Sequence, residues 1–345
     1  MAAEVGVVMA ASFSTMLLGA RLSSSLGPEV RKGVSYLYAN LVFPAMVFRG
    51  VAAINLTGVD GRLVLTILLS KLAVATACLL FGLMALGSRG LPHAAAYAMA
   101  ASHSFDVTMG VPMAKVLFPS YVGYIYLNQS AQLVVVNPLL LVLMEVGMAR
   151  RSAQSIASTA ASIVLGVATN PLVLATACGL TAGHLFPSGL PAVAAALSQQ
   201  LADAGGFLGF VSVGFAVANM GGTSRRELSH GAVLCAAKLA LMPACYALAG
   251  PALGTAAPPG FLLFLGSLPA SASVYSLTLT RGLSPRVVGP LVPVSMLFSV
   301  ALALLPPDRL PPFGVSAAAL LRGGIAAMAV LGLLVPTGDR SLKAA

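Results

Sequence analysis

Ionisable and small polar residues stand inside stretches that are otherwise apolar, and they come in matched sets. The segment Ser102-His103-Ser104-Phe105-Asp106-Val107-Thr108-Met109-Gly110-Val111-Pro112 puts a carboxylate next to a serine and a histidine, with a glycine and a proline one turn further on. The segment Gly266-Ser267-Leu268-Pro269-Ala270-Ser271-Ala272-Ser273 repeats the mixture of proline and hydroxyls without the acid. Lys71 and Lys238 each sit alone in an apolar run. A charged side chain at bilayer depth costs about 2.5–3.5 kcal/mol on insertion scales, so Asp106 needs a cation, a proton or a helix terminus. The chemistry these residues fit is reversible binding and charge compensation. Ser104, Asp106, Gly110, Pro112, Pro269, Ser271 and Ser273 form the expected solute-binding set. Lys71 and Lys238 supply supporting charge, and Asn40, His103 and Asn128 are further candidates to line a cavity. The competing structural reading pairs Asp106 with Lys71 or Lys115 and ties each lysine to backbone carbonyls. Lys115 and Arg49 read as side chains that snorkel outward, and Glu145 as a neighbour of Arg150.

No hydrolytic triad, metal-ligand cluster or phosphate-binding loop occurs, so no enzyme chemistry, metal or cofactor is expected. Cys78, Cys178, Cys235 and Cys245 lie in apolar segments without metal-ligand spacing and read as packing residues.

The elements that must position the polar residues follow from composition. Of the 345 residues 58% are hydrophobic and 8% charged, and the mean hydropathy is +0.95. Soluble domains carry about 25% charged residues, which excludes that class. The net charge of +10 sits mainly in short loops, without a basic stripe interleaved with aromatics, so nucleic acid is not an expected partner. Apolar runs long enough to span a bilayer cover 3–21, 33–54, 63–86, 92–118, 122–147, 160–185, 203–221, 229–250, 258–280 and 284–305 (spans 1 to 10), with an eleventh at 313–335. The N-terminal Met-Ala-Ala-Glu lacks a basic stretch, so span 1 is expected to be retained. Loops after odd-numbered spans hold Arg21, Arg31, Lys32, Arg89, Arg150, Arg151, Arg225, Arg226, Arg281 and Arg286; those after even-numbered spans hold Arg62 and Arg309. Cytosolic loops are the basic ones, which places the N-terminus on the non-cytosolic side. The sequon Asn55-Leu56-Thr57 falls on that side as well.

A shift of 167 residues superimposes Lys71-Leu72-Ala73 on Lys238-Leu239-Ala240 and Ala77-Cys78 on Ala244-Cys245, and it brings the two polar segments into register. Residues 1–150 and 151–308 are therefore expected to be homologous five-helix halves, with 309–345 an extra helix and a tail. Five is odd, so the halves enter the membrane from opposite sides, and interrupted helices at corresponding positions mark a transporter's binding site. The fold class expected is an all-α polytopic membrane protein: a ten-helix, five-plus-five inverted repeat whose broken helices 4 and 9 cross, plus one C-terminal helix. The break in span 4 is expected around Gly110 and Pro112, because proline removes a helix hydrogen bond.

Tyr38-Ala39-Asn40-Leu41-Val42-Phe43-Pro44-Ala45-Met46-Val47-Phe48 resembles the second-helix signature of the auxin efflux carrier (PIN-like) family. Ser104-Phe105-Asp106, Gly110 and Pro112, followed by Pro119, Tyr121, Tyr124-Ile125-Tyr126-Leu127 and Asn137-Pro138, are similar to the transporter-like half of the animal lysosomal branch linked to cholesterol signalling. Asn170-Pro171 and the Pro269 stretch extend the resemblance over about residues 5–305. It implies export of a small organic anion by alternating access at the crossing. The lysosomal branch implies a second reading, a sterol-binding sensor without transport. Expected partners are therefore a small organic solute or a sterol, membrane lipid, and a second copy in a homodimer. The expected location is a lysosomal or other endomembrane, or the plasma membrane. The chain departs from the family at the fourth helix, where Ser104 and Asp106 fill the region usually holding an Asn. It also lacks the long hydrophilic central loop of plant carriers.

Overall fold

Four prolines shape the helices that matter here. Pro44, Pro112, Pro138 and Pro243 each stand two residues beyond a π turn: Tyr38–Val42, Asp106–Gly110, Gln132–Val136 and Ala237–Leu241. A proline ring cannot donate a backbone hydrogen bond and collides with the carbonyl four residues back. Widening the preceding turn to an i→i+5 ladder relieves both problems: Phe43 N bonds Tyr38 O, Val111 N bonds Asp106 O, Asn137 N bonds Gln132 O and Met242 N bonds Ala237 O.

The computed structural model describes residues 2–54, 58–87, 90–152, 161, 165–166, 168–218 and 224–303. Among these, regular structure is entirely helical: α1 (Ala2–Ser25), α2 (Pro28–Ala52), α3 (Gly61–Leu86), α4 (Leu91–Ser102), α5 (Val111–Leu117), α6 (Pro119–Met148), α7 (Pro171–Leu185), α8 (Ala192–Ala218), α9 (Arg225–Leu253), α10 (Pro259–Ser267), α11 (Ala272–Arg281), α12 (Pro285–Val288) and α13 (Leu291–Ala303). Five of the described helices are long and apolar enough to cross a bilayer: α1, α2, α3, α6 and α9. The eleventh run, the sequon at 55–57 and residues 160, 162–164 and 167 of span 6 lie outside the described residues. Span 7 begins earlier than its hydropathy indicates, at Ala192 rather than 203, because Gln199, Gln200 and Asp203 lower the hydropathy while tolerating a helix.

The helices sort into two groups by packing. In the first, α1 lies along α8, and α2 lies against α7 and α8. In the second, α3 packs on α4 and α9, α4 on α6, and α9 on α10. Glycines bring backbones together in both. In the first group a Cβ at Gly214 would stand 2.6 Å from Ala20 N, and in the second one at Gly82 would stand 2.7 Å from Ala94 Cα. Glu145 pairs with Arg281, because the tertiary fold brings the end of α11 against α6; the Arg150 side chain lies outside the described residues.

One loop contact closes the second group at the end where α3 and α10 begin. Asp60 caps α3 through Arg62 N at 2.9 Å and accepts Thr255 Oγ1 at 2.5 Å and Ala256 N at 3.1 Å; Arg62 Nη1 donates to Gly254 O at 3.1 Å. The Thr255 hydroxyl, with the backbone amides of Ala256 and Arg62, holds the Asp60 carboxyl below its usual range. A depressed carboxylate stabilises the fold fully above its unfolded value of about 3.9, and that contribution is lost as pH falls through the lower folded value. The wild-type advantage in melting temperature over Asp60→Asn should therefore be constant near neutrality and shrink below about pH 4. A pH-independent difference would remove the charge from the account.

Candidate functional site: the paired helix breaks

Two helices stop in the interior and restart. The α4 helix ends at Ser102, His103 to Phe105 are non-helical, and the Asp106–Gly110 π turn leads into α5. The α10 helix ends at Ser267, and α11 begins at Ala272. The two gaps pair antiparallel: Phe105 N donates to Pro269 O at 2.8 Å, Ser271 N donates to His103 O at 3.3 Å, and Ser104 stands opposite Ala270. Each gap thus satisfies backbone groups of the other, as burial requires. The first break lies at His103–Phe105, earlier than Gly110 and Pro112. Pro112 occupies the first turn of α5, where its missing N–H costs nothing.

Side chains satisfy the remaining groups. Gln132 Oε1 accepts Ser104 N at 2.7 Å and Lys71 Nζ at 2.9 Å. Lys71 Nζ also donates to Ser102 O at 3.3 Å, the C-terminal end of α4, where the helix dipole favours a cation. Ser104 Oγ receives both ammonium groups, Lys238 Nζ at 2.7 Å and Lys71 Nζ at 3.4 Å. Asp106 Oδ1 accepts Asn128 Nδ2 at 2.8 Å, and Asn128 Oδ1 accepts Tyr246 OH at 2.7 Å. Asp106 Oδ2 lies 4.0 Å from Lys71 Nζ and has no hydrogen-bond partner among the described residues. Lys71, Lys238 and Asn128 have no exposed surface, and Asp106 only 1%. On the other break, Ala270 N donates to Ser295 Oγ at 2.9 Å, and Ser299 Oγ donates to Ser267 O. Each of the four π turns contributes to this neighbourhood: Asp106, Gln132 and Lys238 directly, and Tyr38 through a 2.7 Å hydrogen bond to Thr108.

The structure thus gathers Lys71, Lys238, Ser104, Asp106, Asn128 and the Pro269–Ser271 backbone. His103 is buried beside Ser102, with Nδ1 3.2 Å from Ser102 Oγ. Gly110 is buried against Ile125 and Leu268. Ser271 bonds Ser273, which is exposed. Asn40 is not brought in: it is exposed and donates to Tyr36 O of its own helix. Sequence reasoning passed over Tyr246, Ser295 and Ser299. The 167-residue shift places Ser295 and Ser299 opposite Asn128 and Gln132, so the repeat held that signal.

The crossing is closed on itself, and open space lies beside it. A cavity of about 810 Å³ is bounded by α2, α5, α6 and α8. Val107, Thr108, Val111 and Pro112 form its wall toward the crossing, and Arg49, Lys115, Gln199 and Asp203 are its polar members.

Two buried ammonium groups and one carboxylate around paired helix breaks are the features to set against known proteins. No family model matches the chain. The chain is similar to a lysosomal cholesterol signaling protein. That relative, from Mus musculus, is 24% identical over 168 residues, covering 46% of this chain and 19% of the relative. The match thus spans about a fifth of the relative's length, and it supports a membrane protein of related sequence. The chain is all-helical with several apolar helices, as the sequence leads one to expect.

Proposed function

We propose that the chain is a secondary transporter of the auxin-efflux-carrier type, moving a small organic anion by alternating access beside the crossing of α4/α5 with α10/α11. The reading takes residues 1–150 and 151–308 as inverted five-helix repeats, with a further helix at 313–335 and a non-cytosolic N-terminus. Its single strongest support is the pairing of two helix breaks at positions related by the same shift that superimposes Lys71 on Lys238. The two packing groups support it as well: α3 to α6 with α9 to α13 would move as one body against α1, α2, α7 and α8. No catalytic role is assigned to any residue.

The test is counterflow of labelled organic monoanions in proteoliposomes, with Asp106→Asn alongside. Wild-type counterflow abolished or uncoupled in the variant is the expected result, because the change leaves two buried ammonium groups with no carboxylate. Absence of counterflow in the wild type, or full activity in Asp106→Asn, would overturn the reading.

The name of the mouse relative favours one alternative, a sterol-binding sensor of the lysosomal membrane without transport. In that case cholesterol would raise the melting temperature of wild type and Asp106→Asn equally, and organic anions would raise neither.

A further inference from the structure

The residues of the crossing are buried, and the cavity beside them has both room and charge. Its volume of about 810 Å³ falls within the range of small-molecule sites, ~300–1,000 Å³. Most of its wall is apolar: Met46 on α2, Val107 and Val111 beside the crossing, and Val122 on α6. Two cations enter it from different helices, Arg49 from α2 and Lys115 from α5. Arg49 is half-buried, and its Nη1 reaches Ala195 O at 3.4 Å, a long bond that leaves most of the guanidinium fork available. Lys115 is exposed. Among the described residues the only carboxylate on the wall is Asp203 of α8, which accepts a hydrogen bond from Gln199. The lining therefore carries one positive charge in excess. Ionisable side chains at membrane depth that line a cavity mark a solute path.

We infer that Arg49 and Lys115 are the residues that hold the charged end of the solute, an amphipathic organic monoanion whose apolar body lies against Val107, Val111 and Val122. This rests on the transport reading and locates its binding step outside the crossing. In the transport reading α2 and α5 belong to the two bodies that move apart, so an anion held by both Arg49 and Lys115 bridges them. The crossing then acts as a rigid support, and Pro112 and Thr108 separate it from the solute.

The experiment is equilibrium binding of radiolabelled 4-phenylbutyrate, octanoate and benzoate to the full chain in lipid nanodiscs, with uncharged 4-phenylbutyramide as control. At least one carboxylate should bind saturably, at least tenfold more tightly than the amide. Arg49→Gln and Lys115→Gln should each weaken it tenfold or more without changing the melting temperature, and Lys115→Arg should retain it. Wild-type affinity in both Gln variants, an amide that binds as tightly as the acid, or binding of none of the three carboxylates would overturn the proposal. Counterflow separates this result from the broader reading. Anion movement that persists in both Gln variants removes the site and keeps transport. Charge-dependent binding without any counterflow keeps the site and removes transport.

Discussion

Lys71→Met is expected to destabilise the protein by about 3 kcal/mol, seen as a fall in melting temperature of at least about 5 °C in detergent. Methionine fills a similar volume but donates nothing. Ser102 O then loses its cation, Gln132 Oε1 loses one of two donors, and Asp106 Oδ2 loses the ammonium 4.0 Å away. Removing one member of a buried pair leaves the other charged and uncompensated, and this outweighs the contribution of the pair itself. The double variant Lys71→Met/Asp106→Asn should therefore recover a large part of the loss. Its recovery also separates charge from packing, since both proteins share the same methionine. A single variant as stable as wild type, or a double variant no better than the single, would show that the network is not organised around this pair.

Gly266→Ala is expected to lower stability by about 1–3 kcal/mol, although alanine is the better helix former by ~1 kcal/mol. A Cβ there would fall inside contact distance of Pro243 Cα and stand 2.9 Å from Pro243 N, so it meets backbone rather than a flexible side-chain end. The α10 helix would have to withdraw from α9 just ahead of the Ser267 carbonyl that Ser299 caps. Gly33→Ala is the control, since nothing lies within 4 Å of its Cβ position. Melting curves of the two variants should move in opposite directions or differ clearly in size. Equal shifts would mean that the α9–α10 seam gives way easily.

Much of the architecture could be read from the chain alone. Hydropathy located the helices, since runs of about 20 apolar residues have few alternatives once charges are confined to loops. The 167-residue shift singled out Lys71, Lys238 and the two polar segments, and the structure brings these together. The register of the first break was not legible. Pro112 looks like a breaker, but proline is tolerated in a first helical turn, so the chain opens earlier, where Ser104 and Phe105 find partners on Gln132 and Pro269. Asn40 has the right residue type near the right place, yet its helix turns it outward, a matter of phase that a π turn at Tyr38–Val42 helps set.

The sequence by itself determined that polar groups must be buried in an apolar, helical chain, because their cost in lipid leaves them no alternative to internal partners. Only the tertiary structure decided which partners they take. One serine hydroxyl receives two ammonium groups, Tyr246 reaches Asn128, and a charged cavity opens beside the buried crossing. Those contacts join residues far apart in the chain, and their geometry depends on the packing of whole helices rather than on any local pattern.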